Sequence, residues 1–320
     1  MPASENSFVS PFDPARCAFG RHETFPLRYS WLTKGFRELK ANPAIFESDE
    51  ATVRLGVGKN MVNAIRYWLQ GARVVERVDN AYVPTVLGEH IFGTDGYDPY
   101  LEDEATIWLL HWLIATDAQL ATAWYWFFNQ FHKPEFTAQE VTTALADFVK
   151  ASVNGRTSSN TVKQDASILL RMYSRSRANA RTPMEDTLDS PLALLGLVQA
   201  GFTGKSFRSL PQRREVPVGI IGFAVTDLCN ALNVRQLPIE QLMYGEGWAP
   251  ALGAVFRLTE DSLLAKLELL VREMSGTFAI RETAGIHQLY LLDDIYPLCM
   301  LAYQYKEQKA GGLNQPVYFW

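Results

Sequence analysis

Glu50-Ala-Thr-Val-Arg-Leu-Gly-Val-Gly-Lys-Asn-Met-Val-Asn-Ala-Ile-Arg-Tyr-Trp-Leu69 spaces its small and apolar residues as a helix-turn-helix requires. Ala51 is small enough for two helices to cross closely, Gly56 suits a turn position with φ above zero, and Val57, Val62, Ile65 and Leu69 form a stripe that the second helix buries. Lys59, Asn60, Asn63 and Arg66 are left on the exposed face of that helix, with Arg54 just before the turn. These side-chain types meet phosphates and purine edges in a major groove, so the five are candidate nucleic-acid-binding residues. Gly56-Val-Gly-Lys-Asn60 is not a phosphate-binding Walker loop, because Val53 and Asn60 stand where that loop needs glycine and a hydroxyl.

On the C-terminal side, Arg73-Val-Val-Glu-Arg-Val-Asp-Asn-Ala-Tyr-Val-Pro-Thr85 predicts two short strands around an Asp79-Asn80 turn, the wing of a winged helix. On the N-terminal side, Leu27, Trp31, Leu32, Phe36 and Leu39 share one face of a helix that completes a winged three-helix module. Such a module docks DNA or protein, since fold alone does not fix function.

The rest of the chain is predicted to be mainly α with small β-hairpins, as tandem winged-helix-like modules around a central aromatic helical core. Three domains are expected: residues 1–92, a winged helix-turn-helix domain; 93–190, a helical domain with a second helix-turn-helix-like module; and 191–320, an α+β winged-helix-like domain. Gly93-Thr-Asp-Gly-Tyr-Asp-Pro-Tyr100 links the first two. From Ile107 to Phe131 the aromatic residues recur on every side, which describes a buried helix pair better than a base-stacking platform.

The second module opens on a capping box, Thr137 with Glu140, and turns at Asn154-Gly-Arg-Thr-Ser-Ser-Asn160. A helix with Val162, Ile168, Leu169 and Met172 facing inward follows. Ser159, Asn160 and Lys163 at its N-terminus suit a phosphate. Arg171, Arg175, Arg177 and Arg181 form the most basic stretch of the chain and a candidate phosphate-backbone clamp, with a solvated helix end as the plainer alternative. Lys205, Arg208, Arg213 and Arg214 read as an ordinary charged loop ahead of a β-like run, Val216 to Val225. The third module has a Thr259-capped helix with Leu263, Leu267, Leu270 and Val271 on one stripe, then two strands around Ala284-Gly285.

Composition bounds these readings. The chain has 320 residues, 48% hydrophobic and 12% aromatic, ample for a packed core. Its net charge of -5 means that contact with DNA must come from local basic patches. No apolar run is long enough to span a membrane and no export signal stands at the N-terminus, so a cytoplasmic protein is expected. Cys17, Cys229 and Cys299 are scattered and read as reduced thiols.

Chemistry would fall to carboxylates, because no serine sits in a nucleophile elbow and the five histidines are scattered. Glu185, Asp186 and Asp189 are the candidate catalytic residues for metal-assisted phosphodiester cleavage, with Mg²⁺ or Mn²⁺ as the ion. Asp98, Glu102, Asp103 and Glu104 are a second group, and capping or surface charge is the commoner role for both. His22, Glu23 and Arg28 make a polar cluster equally compatible with a structural network.

His22-Glu-Thr-Phe-Pro-Leu-Arg-Tyr-Ser-Trp-Leu-Thr-Lys34, Leu55 to Leu69, Asp186-Thr-Leu-Asp-Ser-Pro-Leu192, Gly253-Ala-Val-Phe-Arg-Leu258 and Glu282-Thr-Ala-Gly-Ile-His-Gln288 resemble a bacterial family of unknown function. Its members sit beside DNA phosphorothioation genes, and the SspB-type proteins are among them. The resemblance spans nearly the whole chain. It implies a component that works on double-stranded host DNA with sulfur-modification enzymes: a cysteine desulfurase, an ATPase and a sulfurtransferase-like enzyme. It also implies nicking of one strand so that sulfur can replace a non-bridging phosphate oxygen. It assigns no catalytic residue by position. The alternatives are a non-catalytic adaptor that binds DNA and recruits the modifying enzymes, and a transcriptional regulator. A homodimer is compatible with each.

Overall fold

Asp79 and Asn80 have φ of 47° and 70°, the two left-handed residues that a type I′ hairpin turn needs. They join β1 (Val75–Val78) to β2 (Ala81–Pro84) in an antiparallel ladder that sets Arg77 opposite Tyr82. The computed structural model describes residues 7–175, 190–201, 204–283 and 285–310.

Three helices precede the hairpin: α1 (Tyr29–Ala41), α2 (Ala51–Leu55) and α3 (Lys59–Gly71). Gly56 ends α2 with φ 64°, as its place in the sequence predicted, and the Lys34 ammonium donates to the Leu55 carbonyl at 2.8 Å. Val62, Ile65 and Leu69 are buried, and so are Leu27, Trp31, Leu32, Phe36 and Leu39. A Cβ on Gly35 would lie 2.6 Å from Ile65 Cγ2, so α1 crosses α3 at a distance only glycine permits. Behind the hairpin, α4 (Val86–Phe92) starts on Thr85, whose hydroxyl accepts the Gly88 N–H.

The centre is a pair of helices with no polar face. In α5 (Glu104–Ala115) every residue from Ala105 onward is buried, and in α6 (Thr122–Asn129) every residue is. Trp108 and Trp112 of α5 pack on Phe256, and in α6 Trp124 meets Trp68 of α3 edge to face while Phe127 meets Phe128. This is the buried pair expected from a run apolar on all sides.

Against that pair lie α7 (Ala138–Ser152), entered through β3 (Glu135–Thr137) and the complete Thr137–Glu140 capping box, and α8 (Ser159–Tyr173), capped by Ser158. Two further strands, β4 (Gln199–Ala200) and β5 (Ser206–Arg208), join β3 in an antiparallel sheet ordered β3-β5-β4.

The β-like run at Val216 to Val225 is a helix, α9 (Val218–Leu232), buried from Gly219 to Cys229. A fully buried helix shows no polar period, so its sequence looks like a buried strand, and here helix length decides. After it come β6 (Gln236–Pro238), α10 (Ile239–Tyr244), α11 (Leu252–Val255) and α12 (Glu260–Glu273), then β7 (Phe278–Thr283), β8 (Ile286–Leu291) and α13 (Pro297–Ala310). Thr259 caps α12, and β6, β8 and β7 form the third antiparallel sheet. The whole is mainly α with small antiparallel sheets. Among the described residues no helix is long and apolar enough to cross a membrane.

Asp227 on α9 stitches distant segments together. Its carboxylate accepts the backbone N–H of Phe8 and Val9 and, at 2.7 Å, the Trp112 indole N–H of α5. Burial pushes its carboxyl upward, and the Trp112 indole, the Phe8 N–H and the Ser7 hydroxyl hold it back.

Candidate nucleic-acid interface

Lys59, Asn63, Arg66 and Gln70 fall on one stripe of α3, because steps of three and four residues return to the same helical face. Asn63, Arg66 and Gln70 line a groove of about 1450 Å³ that is open to solvent. Lys59 and Asn60 stand exposed at the first turn of the helix. Arg73, Arg77 and Tyr82 extend the same side of the groove along the hairpin.

The other side comes from sequence far away. Arg16, Arg21 and Glu23 reach the groove from the segment before α1, and Arg156, Thr157, Ser158 and Thr161 reach it from the turn into α8. Arg16, Arg21, Arg66, Arg73, Arg77 and Arg156 outnumber the carboxylates Glu23, Glu76 and Asp117 on the lining. A chain of net charge -5 thus has a concave surface of opposite sign, and low-dielectric walls focus such a field. The first backbone N–H groups of α8 open beside Arg156, and such groups at a helix start favour anions.

At the base of the groove Asp117 is fully buried. Its Oδ1 accepts the N–H groups of Gln119 and Leu120, and its Oδ2 lies 3.2 Å from Arg73 Nη2. Arg73 Nη2 also donates to Ser10 Oγ at 2.6 Å. Arg73 is therefore tied to the core, whereas Arg16, Arg21, Arg77 and Arg156 are exposed and Arg66 is half-buried.

His22 and Glu23 part company: Glu23 is exposed on the groove, and His22 is buried against α8. The Thr24 N–H donates to His22 Nδ1 at 3.1 Å, so the proton sits on Nε2, which donates to Asp165 Oδ1 at 2.9 Å. The same carboxylate takes the Gly20 N–H at 2.9 Å. This polar cluster is structural, and it holds the loop that carries Arg21. Cys17 also lines the groove, and burial raises its thiol, which makes it a poor nucleophile.

Other candidates lie elsewhere. The Arg54 guanidinium pairs with Glu38 at 2.8 Å and ties α2 to α1. Ser159, Asn160 and Lys163 are exposed around the start of α8, next to the groove lining rather than in it. Arg171 is exposed in the last turn of the same helix, roughly 18 Å away at 1.5 Å per residue, and Arg175 is exposed just past the helix end. Arg177, Arg181, Glu185, Asp186 and Asp189 lie outside the described residues.

In the second carboxylate group the two aspartates serve as caps. Asp98 accepts the N–H groups of Glu102 and Asp103 and the Thr106 hydroxyl, and Asp103 caps α5 through the Ala105 N–H. Of the charged loop expected here, Arg208 instead ends β5 and pairs with its cross-strand neighbour Glu135, and Arg214 donates to carbonyls of Leu195, Gly196 and Arg257. Among the described residues no three His, Cys, Asp or Glu side chains converge as a metal site.

A family described as a protein of unknown function, DUF4007, matches residues 19–305. The chain belongs to the DUF4007 family. A crystal structure of SspB with a magnesium ion bound is 28% identical, with a TM-score of 0.79 over 92% of this chain and 88% of SspB. A second crystal structure of SspB is 27% identical, with a TM-score of 0.78 over 97% and 90% of the two chains. None of the curated proteins matches.

In this DUF4007 protein, reading α3 as a reader helix located one side of the groove and missed most of its arginines. Arg77 lies in the Arg73 to Thr85 hairpin run and Arg156 in the Asn154 to Asn160 turn, and a cation on a hairpin or beside a helix start was the available signal. Arg16 and Arg21 gave none, because they stand in irregular chain brought to the groove by long-range bonds, among them those of Gly20 and His22 to Asp165, Ala18 to Thr122 and Asn154 to Pro14.

Proposed function

We propose that this protein is the DNA-binding component of a phosphorothioate modification and phage-defence system, and that it nicks one strand to admit sulfur. The observation that carries the first half is the arginine-lined groove between α3 with its hairpin and the start of α8. Phosphate contacts dominate affinity for DNA, and side chains on a helix face add the sequence reading. In this reading α1 to α3 and the β1–β2 hairpin act as a winged helix, with Lys59, Asn60, Asn63 and Arg66 toward the duplex. The likeness to SspB over nearly the whole chain supports the phosphorothioation setting.

The second half, nicking, draws on the magnesium ion bound in the SspB crystal. Among the described residues no three His, Cys, Asp or Glu side chains converge on a cation site, and Glu185, Asp186 and Asp189 are the candidates. The adaptor reading has its own support in the capping roles of Asp98 and Asp103.

Incubation of the protein with supercoiled plasmid, with and without Mg²⁺ or Mn²⁺, tests both halves. Metal-dependent open circle that disappears on replacing Glu185, Asp186 and Asp189 supports a nickase. Salt-sensitive binding with no open circle leaves the adaptor. No binding at low salt overturns the groove.

A further inference from the structure

Arg66 and Arg77 come from different elements, α3 and β1, and their guanidinium carbons lie 5.5 Å and 5.9 Å from the centre of one ring, that of Tyr82. Arg77 is the cross-strand partner of Tyr82, so the hairpin register itself puts the two side chains on one face. The ring is 9% exposed and is fixed from behind by Phe46, edge to face at 6.0 Å. The Asn80 side chain at the hairpin turn accepts from Arg77 Nη2 at 2.9 Å, which restrains that guanidinium further. Among the described residues neither Arg66 nor Arg77 has a carboxylate within ion-pair distance, and both line the groove.

Two like charges would ordinarily spread apart. Here the π-electrons of one immobile ring attract both, and a guanidinium ordered in advance loses less freedom when it meets a phosphate. We propose that Tyr82 is a positioning residue: its ring mounts Arg66 and Arg77 as a preformed pair that grips the nucleic-acid backbone and couples the hairpin to α3. This rests on the groove being the DNA site.

The test is a titration of the full-length protein with a fluorescent 30-base-pair duplex over a series of salt concentrations. Tyr82→Phe keeps the ring and binds as the parent does. Tyr82→Leu keeps apolar bulk, and loses affinity together with about one to two units of the salt slope, the loss also seen in R66A/R77A. In the R66A/R77A background Tyr82→Leu has no further effect. Arg66→Lys with Arg77→Lys keeps the charge without a planar group, leaves the core untouched, and loses most of the affinity that the double alanine variant loses. A lysine pair that binds like the parent, or a folded Tyr82→Leu with the parental slope, overturns the role of Tyr82 while the DNA site stands. R66A/R77A binding like the parent overturns both.

Discussion

His22 Nε2 donates to Asp165 Oδ1 at 2.9 Å across 143 positions of sequence, with both side chains 1% exposed. The bond fastens the segment before α1 to α8, and the Gly20 N–H adds a second fastening to the same carboxylate. Gly20 is held so near α8 that a Cβ there would come within 2.8 Å of Thr161 Cγ2. One side of the arginine groove therefore depends on a buried carboxylate well away from any phosphate.

Asp165→Ala leaves the His22 and Gly20 donors without partners. Each such loss costs about 1 to 3 kcal/mol, so the variant is expected to lose about 2 to 6 kcal/mol in urea unfolding. Asp165→Asn keeps an accepting oxygen and recovers part of that. A loss below about 1 kcal/mol for the alanine variant would show that the segment is held by its apolar contacts instead.

Arg257 is buried with its guanidinium on carbonyls, donating to Phe127 O and Phe131 O from Nη2 and to Phe128 O and Ala254 O from Nη1. Phe127 and Phe128 end α6, where carbonyls have no partner in their own helix and the helix dipole is negative. Burial lowers the guanidinium to about 10, so it keeps its charge near neutrality. Arg257→Met removes the cation and strands these carbonyls, at a cost of about 3 kcal/mol or more. Arg257→Lys fares little better, because a compact ammonium cannot bridge acceptors that a planar fork reaches. Chemical denaturation of the two variants checks this; parental stability in Arg257→Lys would mean that charge alone suffices.

Thr137, Gly56 and the Asp79-Asn80 turn show what part of the fold was legible in the sequence. Each is a local instruction, a cap or a backbone conformation, that neighbouring residues cannot override cheaply. The α9 helix was misread because its apolar run is buried on all sides, so no polar face reveals the period. The groove was legible on one side only. Asn63 and Arg66 follow from helical spacing in α3, while Arg16, Arg21 and Arg156 sit in loops whose meeting depends on long-range bonds to Asp165 and on the packing of α8. Arg54 illustrates the converse, an exposed-looking cation claimed by Glu38 across the α1–α2 contact.

His111 links stability to pH. Its Nδ1 faces the Tyr173 hydroxyl at 2.8 Å and its Nε2 the Val255 carbonyl at 2.8 Å, so Nε2 carries the proton of a neutral ring. Burial lowers it from 6.5 to about 3. Between those values the unfolded chain takes up a proton that the folded chain refuses, so stability falls as pH falls, by about 1.4 kcal/mol per pH unit from this site. Above that window the site has no effect. Unfolding free energies from pH 7 to pH 4 should show this slope in the parent and lose about that much of it in His111→Gln. Equal slopes in the two proteins would assign the acid sensitivity to other groups.

Arg16, Arg21 and Arg156 are exposed on the groove, so replacing them should leave the fold intact and act on DNA alone. Each phosphate contact contributes about 0.9 to the slope of log affinity against log salt. Converting all three to alanine is expected to flatten that slope by up to about 3 units and to weaken binding evenly across sequences. Lys59→Ala and Asn63→Ala act differently if α3 meets base edges. They should weaken binding to the preferred duplex by about 1 to 3 kcal/mol and relax its selection over a scrambled one. A triple variant with the parental slope would remove the N-terminal segment and the α8 turn from the interface, and would confine DNA to α3 and its hairpin.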